Sequence, residues 1–200
     1  MAEPDRTQRA SLRKQLRRSR RSLSADERAL KTRLLFQRAV TLPLFTRSAR
    51  LAFYFASDGE IDPLTIMLRA LQMGKHCHLP VLSAHRPDKV SFAPFHPGNR
   101  LRPNRWGIPE PDAAVSQLAR PFSLDLVFVP LVGFDRNCNR LGMGKGFYDR
   151  TFAYRLRTDL QRPRLVGLAF EAQKVDSIPL GPWDVPLDAV ITEAACYSRH

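Results

Sequence analysis

The chain is short of acid, of cysteine and of long apolar runs. Only three cysteines, Cys77, Cys138 and Cys196, stand among its 200 residues. An odd and widely spaced set excludes a fully paired disulfide framework and carries no zinc-type spacing. A reducing, cytoplasmic setting is what this usage implies. No apolar stretch approaches the roughly 18 residues that span a bilayer, so no membrane span, and no membrane-embedded role, is expected. The N-terminus is arginine-rich with no apolar segment behind it, which is not the pattern of a secretory signal. Internal repeats and low-complexity tracts are also missing.

The shortage of acid is uneven. Lys and Arg number 32 against 19 Asp and Glu, a net charge of +13. Residues 1–50 alone hold 14 basic residues and 4 acidic ones. Such a block fits an anionic partner, whether nucleic acid, a membrane surface or a phosphorylated small molecule. It fits equally a solvated basic helix that keeps the protein soluble.

What is present suffices for one sizeable core, since 44% of the residues are hydrophobic. The spacing predicts a first helix over residues 6–21, with Leu12 and Leu16 one turn apart on a basic surface. Ser24 to Glu27 is a capping-box pattern. It starts a second helix, with Leu30, Leu34 and Leu35 as its apolar stripe and an end before Pro43. Strands are predicted at 50–56, 76–82, 124–132, 164–170 and 189–192, with a short edge strand at 90–95. Helices are predicted at 63–72 and from about 146 to 157. Residues 93–111 are proline-rich and otherwise irregular. Alternating strands and helices define an α/β fold: an open, mostly parallel sheet flanked by helices, in one domain over 1–200, with residues 1–42 as a basic helical segment packed on it.

The most informative run is Arg140-Leu-Gly-Met-Gly-Lys-Gly-Phe-Tyr-Asp149. It is not a Walker A loop, which needs Gly, four residues, then Gly-Lys-Ser/Thr. It is not a dinucleotide fingerprint, because its third glycine comes too early. A Gly-x-Gly-x-Gly run can be an ordinary tight connection. Here Lys145 adds a point charge suited to phosphate and Arg140 a planar fork for two oxygens. The run lies just past the strongest predicted strand, where ligands of such folds bind. Asp149 would repel bare phosphate, but it is useful if a divalent cation bridges carboxylate and phosphate. Together these residues suggest a Mg²⁺-nucleotide.

Val127 to Asp135 followed by Arg140 to Asp149 resembles the signature of the 5-formyltetrahydrofolate cyclo-ligases, or methenyltetrahydrofolate synthetases. Arg9 to Arg13, Leu23 to Arg28, Glu60 to Asp62, Gly74-Lys75 with Leu79-Pro80, Gly107 to Pro111, Gly167 to Phe170 and Pro179 to Asp188 resemble further family segments, in the same order. The resemblance implies an open sheet related to the sugar-phosphate isomerase and CoA-transferase type. It implies ATP-dependent closure of 5-formyltetrahydrofolate to 5,10-methenyltetrahydrofolate, with release of ADP and phosphate and a need for Mg²⁺. By position, it assigns ATP to Arg9, Arg13 and the run Arg140, Leu141, Gly142, Met143, Gly144, Lys145, Gly146, Phe147 and Tyr148. Lys145 and Arg140 are the catalytic candidates. Phe55 and Glu60, with Met143 to Phe147, are assigned to the folate, and Asp149 and Asp184 to the metal.

Asp188 competes with Asp184 for the metal role, and Asp176 more weakly. Trp106 is a candidate cover for the folate. Arg17, Arg18, Arg20 and Arg21 are expected to be solvated. Three positions depart from common family residues: Arg9 for lysine, Phe147 for tyrosine and Met143 for arginine. A monomer is expected, and nucleic acid is not an expected partner. A rival RNA-binding role for the N-terminus would weaken steeply with salt and survive Lys145→Ala. A third reading is a related ATP-dependent enzyme acting on another formyl or amide substrate.

Overall fold

The computed structural model describes residues 6–82, 87–105 and 107–199. Trp106 lies outside them. Helix α1 (Arg6–Arg21) is basic on its outer faces and buries Arg9, Leu16 and Arg20. Helix α2 (Ala25–Thr41) opens with the expected capping box. Ser24 Oγ accepts from the Glu27 N–H at 3.2 Å, and the Glu27 carboxylate accepts from the Ser24 N–H at 2.9 Å. The predicted stripe is corrected, because Leu30 and Leu34 are exposed and the buried face carries Leu35 and Ala39, one turn apart. Pro43 ends α2 as expected, then itself begins the short α3 (Pro43–Thr46), where a missing N–H costs nothing.

The strands are β1 (Arg50–Ala52), β2 (His76–Val81), β3 (Ser91–Phe95), β6 (Leu126–Val129), β9 (Arg164–Leu168), β11 (Ala189–Ile191) and β12 (Cys196–Ser198), in one seven-stranded sheet ordered β12-β11-β9-β6-β1-β2-β3. The five inner strands run parallel, and the edge strands β12 and β3 pair antiparallel. Helix α4 (Leu64–Gln72) crosses from β1 to β2, and Gly74, at φ +71°, turns the chain back into the sheet. β4 (Leu101–Pro103) and β5 (Pro109–Pro111) form an antiparallel hairpin in the segment expected to be irregular. β7 (Gly133–Asp135), β8 (Arg140–Leu141) and β10 (Lys174–Val175) form a second small sheet. Helix α5 (Phe147–Phe152) is shorter than predicted and continues as a 3₁₀ turn over Ala153–Leu156.

Two predicted strands end early for visible reasons. After β1 the Phe53 N–H still donates to the His78 carbonyl at 3.0 Å. The Tyr54 hydroxyl then donates to the Ile61 carbonyl at 2.8 Å and folds the following residues into a loop. After β6, Pro130 has no N–H to give to a ladder.

The connections set the site. From β1 the chain moves to β2 and β3 on one side; from β6 it moves to β9 and β11 on the other. The direction therefore switches between β1 and β6, and a crevice opens outside their carboxyl ends. The loop carrying Glu60 leaves β1 there, and the segment leading to the glycine loop leaves β6 there. The sheet beneath is tightly filled. A Cβ on Gly167 in β9 would lie 2.5 Å from Leu131 Cδ2 and 2.8 Å from Leu187 Cδ1. Gly167→Ala is expected to destabilise the fold by about 1–3 kcal/mol through overpacking, seen as a lower denaturant midpoint.

Candidate active site

Helical spacing brings the N-terminal segment to the crevice. Arg9, Arg13, Leu16 and Arg20 follow one another at four, three and four residues and so share one face of α1. Leu16 anchors that face against Val132, Leu141 and Ile178. A Cβ on Gly133 would lie 2.3 Å from Leu16 Cδ1, so α1 approaches β7 as closely as only glycine allows. The arginines on either side of this contact are thereby aimed at the loops.

Arg13 Nε donates to the Gly142 carbonyl at 2.8 Å. Its guanidinium also lies over Gly144. Burial and the neighbouring Arg9 lower its pKa, and Asp184 opposes them. Arg9 Nη1 and Nη2 grip the two oxygens of Asp184 at 2.6 and 3.1 Å. The Gly181 N–H donates to the same Asp184 Oδ2 at 2.7 Å, so Asp184 is also a turn residue. The Val185 N–H donates to Asp149 Oδ1 at 3.2 Å. Arg140, buried, pairs with Asp149 and donates to the Val185 carbonyl at 3.1 Å. Asp149 and Asp184 thus meet across one peptide, each carrying an arginine.

The glycine loop lies beside them. Gly144 at φ +96° and Gly146 at φ +65° take backbone shapes that favour glycine. Arg150 Nη2 donates to the Lys145 carbonyl at 2.7 Å, and its guanidinium lies 5.5 Å from the Phe147 ring centre. Met143, Gly144 and Lys145 are exposed; Gly142, Gly146 and Phe147 are half-buried, and Leu141 is buried.

Tyr148 joins this cluster to the folate candidates. Burial and the Glu60 carboxylate hold its hydroxyl proton on, with Arg140 opposing. Glu60 and Arg140 are thus both within electrostatic reach of it. Glu60 is buried, and its Oε2 accepts from the Ser57 N–H at 3.1 Å and from Ser57 Oγ at 3.3 Å. Burial raises its pKa, while the Ser57 hydrogen bonds and Arg20 oppose the rise. Phe55 is half-buried against the adjoining core. Asp188 lies elsewhere, at the amino ends of β9 and β11, bound by Arg155, Arg164 and the Leu165 N–H. Asp176 is exposed. Two clefts, of about 440 Å³ beside His76 and His96 and about 790 Å³ beside Lys174 and Tyr197, lie apart from this cluster.

One expectation is corrected. Arg18 and Arg21 are exposed as expected, but Arg17, Arg20 and Arg21 all converge on Asp58, and Arg20 is wholly buried. The arginines hold the Asp58 carboxyl down at about 2 against its burial. Arg28 of α2 adds a hydrogen bond to the Gly59 carbonyl. The signal was available in the helical register of Leu16, which places Arg20 on the inward face.

An α/β fold with arginines, paired carboxylates and a glycine loop gathered at its switch point defines an enzyme built to handle a charged ligand. The profile of the 5-formyltetrahydrofolate cyclo-ligase family matches residues 5–193. The 5-formyltetrahydrofolate cyclo-ligase of Haemophilus influenzae is 34% identical over 90% of this chain and 94% of its own. That of Escherichia coli K12 is 33% identical over 88% and 96%. The NMR structure of 5,10-methenyltetrahydrofolate synthetase from Aquifex aeolicus superposes with a TM-score of 0.80 at 29% identity, covering 95% of this chain and 92% of the other. The chain belongs to the 5-formyltetrahydrofolate cyclo-ligase family.

Proposed function

We propose that this protein closes 5-formyltetrahydrofolate to 5,10-methenyltetrahydrofolate at the expense of ATP, as one domain over residues 1–200 acting as a cytoplasmic monomer. The observation that carries this reading is the gathering at the switch point of the Arg9–Asp184 and Arg140–Asp149 pairs, joined through the Val185 N–H, with Arg13 bound to the glycine loop at the Gly142 carbonyl. No helix among the described residues is long and apolar enough to cross a membrane.

The formamide oxygen is a poor leaving group. Transfer of the γ-phosphoryl group to it makes phosphate the leaving group, and nitrogen 10 of the folate then attacks the activated carbon and closes the ring. Such a transfer needs positioning and charge neutralisation more than covalent help. Arg140 and Lys145 neutralise the phosphoryl group in flight. The amides of Gly142 to Tyr148 cradle the phosphates, with Arg9 and Arg13 above them. Glu60 accepts hydrogen bonds from the pterin amino and ring N–H groups. Phe55 and Phe147 wall that pocket with Met143.

Two hard carboxylates one peptide apart suit Mg²⁺, which is commonly held by one or two carboxylates together with substrate phosphates. Asp149 and Asp184 would hold it, and its charge would offset the charge building on the phosphates. The test is direct. Purified protein with ATP, Mg²⁺ and 5-formyltetrahydrofolate should produce the near-ultraviolet absorbance of methenyltetrahydrofolate. No absorbance change under any metal condition would sink the reading.

A further inference from the structure

We propose that Arg20 is a positioning residue for this reaction: from α1 it clamps the loops leaving β1 and β6 across the switch point and orients the Glu60 carboxylate for the pterin. The proposal rests on the reading of Glu60 as the folate-binding carboxylate.

Arg20 is fully buried. A buried guanidinium is costly unless every arm is engaged, and here the arms reach both loops. Nε donates to the Asp58 carbonyl at 3.1 Å and Nη2 to Asp58 Oδ2 at 2.8 Å, both in the loop after β1. Nη1 donates to the Leu131 carbonyl at 3.2 Å, in the segment after β6. The same Nη1 stands 3.7 Å from Glu60 Oε1. Ser57 occupies Oε2, so Arg20 faces the other oxygen of the carboxylate.

The fixed loop has a conformational cost. Asp58 sits at φ +53°, a left-handed shape that costs a non-glycine residue about 1–2 kcal/mol. Pairing with three arginines holds it there. Glu60 follows two residues later, and its own N–H donates to the Ser57 carbonyl at 2.9 Å. Arginine, loop conformation and carboxylate direction are therefore one mechanical unit.

Charge acts in the same direction. Around Glu60 stand Ser57 and Asp58 of its own loop, Arg20 and Arg17 of α1, Tyr54 from the end of β1 and Tyr148 of α5. Burial favours the protonated acid, and Asp58 adds to that tendency. Arg20 is the buried cation that opposes both. Without it the carboxyl would hold its proton to higher pH and lose an acceptor oxygen needed by the pterin.

The experiment measures kcat and both KM values across about pH 5–9 for Glu60→Gln, Arg20→Gln, Arg20→Lys and Asp58→Asn. Glu60→Gln should raise the folate KM; a wild-type folate KM there removes the reading of Glu60 itself. With that reading intact, Arg20→Gln should raise the folate KM about tenfold, leave the ATP KM unchanged and move the acid limb of kcat/KM for folate up by about 1 pH unit. Arg20→Lys should return the limb toward its original position. A purely structural clamp would move neither limb nor folate KM selectively, and that result overturns the proposal. Should Arg20→Gln fail to fold, Asp58→Asn decides. It removes the charge that Arg20 Nη2 pairs with, leaving Nε and Nη1 on their backbone carbonyls and Glu60 untouched, and an unchanged folate KM there overturns the proposal equally.

Discussion

Lys145→Ala is expected to lower kcat by about 10²–10³-fold, the usual cost of deleting one charge-stabilising donor from a reacting group. The size follows from where the side chain starts. Its backbone is braced on both sides, by Arg13 at the Gly142 carbonyl and by Arg150 at the Lys145 carbonyl itself. The glycines at φ +96° and +65° on either side set the direction of the loop. A cation mounted on a fixed backbone needs little reorganisation as charge develops. Because Lys145 is exposed, its truncation should shift stability by no more than about 0.5 kcal/mol, so an unchanged thermal midpoint separates chemistry from folding. A charge used in the transition state should lower kcat and kcat/KM together. A raised ATP KM with unchanged kcat would instead mean that Lys145 only holds ground-state nucleotide. Arg18→Ala is the control, because Arg18 is exposed on the outer side of α1; equal losses in the two variants would mean the loop is misassigned.

The loop and its charges were legible in the sequence because their signal is local. Glycine spacing, an interior lysine and the strand before it occupy adjacent positions, and the capping box of α2 is likewise written within four residues. The parallel inner strands were also legible as short apolar runs between helical patterns. What was not legible depends on distant partners. Arg20 looked like its solvated neighbour Arg18 until α1 was seated on β7, when Leu16 turned it inward. The hairpin of β4 and β5 was hidden because proline occupies Pro103, Pro109 and Pro111, residues that demote any strand assignment. The small sheet of β7, β8 and β10 was hidden for another reason. Its hairpin is organised by Asp135, whose carboxylate accepts from the N–H groups of Asn137, Asn139 and Ile178, the last of them 43 residues away. Outward leucines on α2 misled for the opposite reason, since exposed apolar residues are common and do not mark a buried face by themselves.

Asp184→Asn is expected to raise the Mg²⁺ concentration for half-maximal rate more than about tenfold, the loss that goes with one charge-assisted ligand of 1.5–3 kcal/mol. The geometry shows why this carboxylate is a sensitive point. Both its oxygens lie in the Arg9 fork, and the side chains of the pair are only 8–10% exposed. A metal at Asp184 would compete with Arg9, and Arg9 released from Asp184 would be able to meet a phosphate. One exchange of partners would then serve both ligands. The asparagine variant loses the carboxylate charge that a metal would need and leaves Arg9 buried without its counter-ion. Breaking such a pair from one side typically costs about 3–5 kcal/mol, so a fall in the unfolding midpoint should accompany the raised Mg²⁺ requirement. Wild-type protein should gain about 2.7 kcal/mol of stability at 100 times the Kd of Mg²⁺-ATP, and Asp184→Asn should lose most of that gain at the same concentrations. Asp188→Asn should leave the Mg²⁺ requirement unchanged, because Asp188 is bound by Arg155 and Arg164 at the opposite ends of the strands. An unaltered Mg²⁺ requirement in Asp184→Asn, beside a raised one in Asp149→Asn, would give the metal to Asp149 alone and leave Asp184 as the residue that holds Arg9 over the loop.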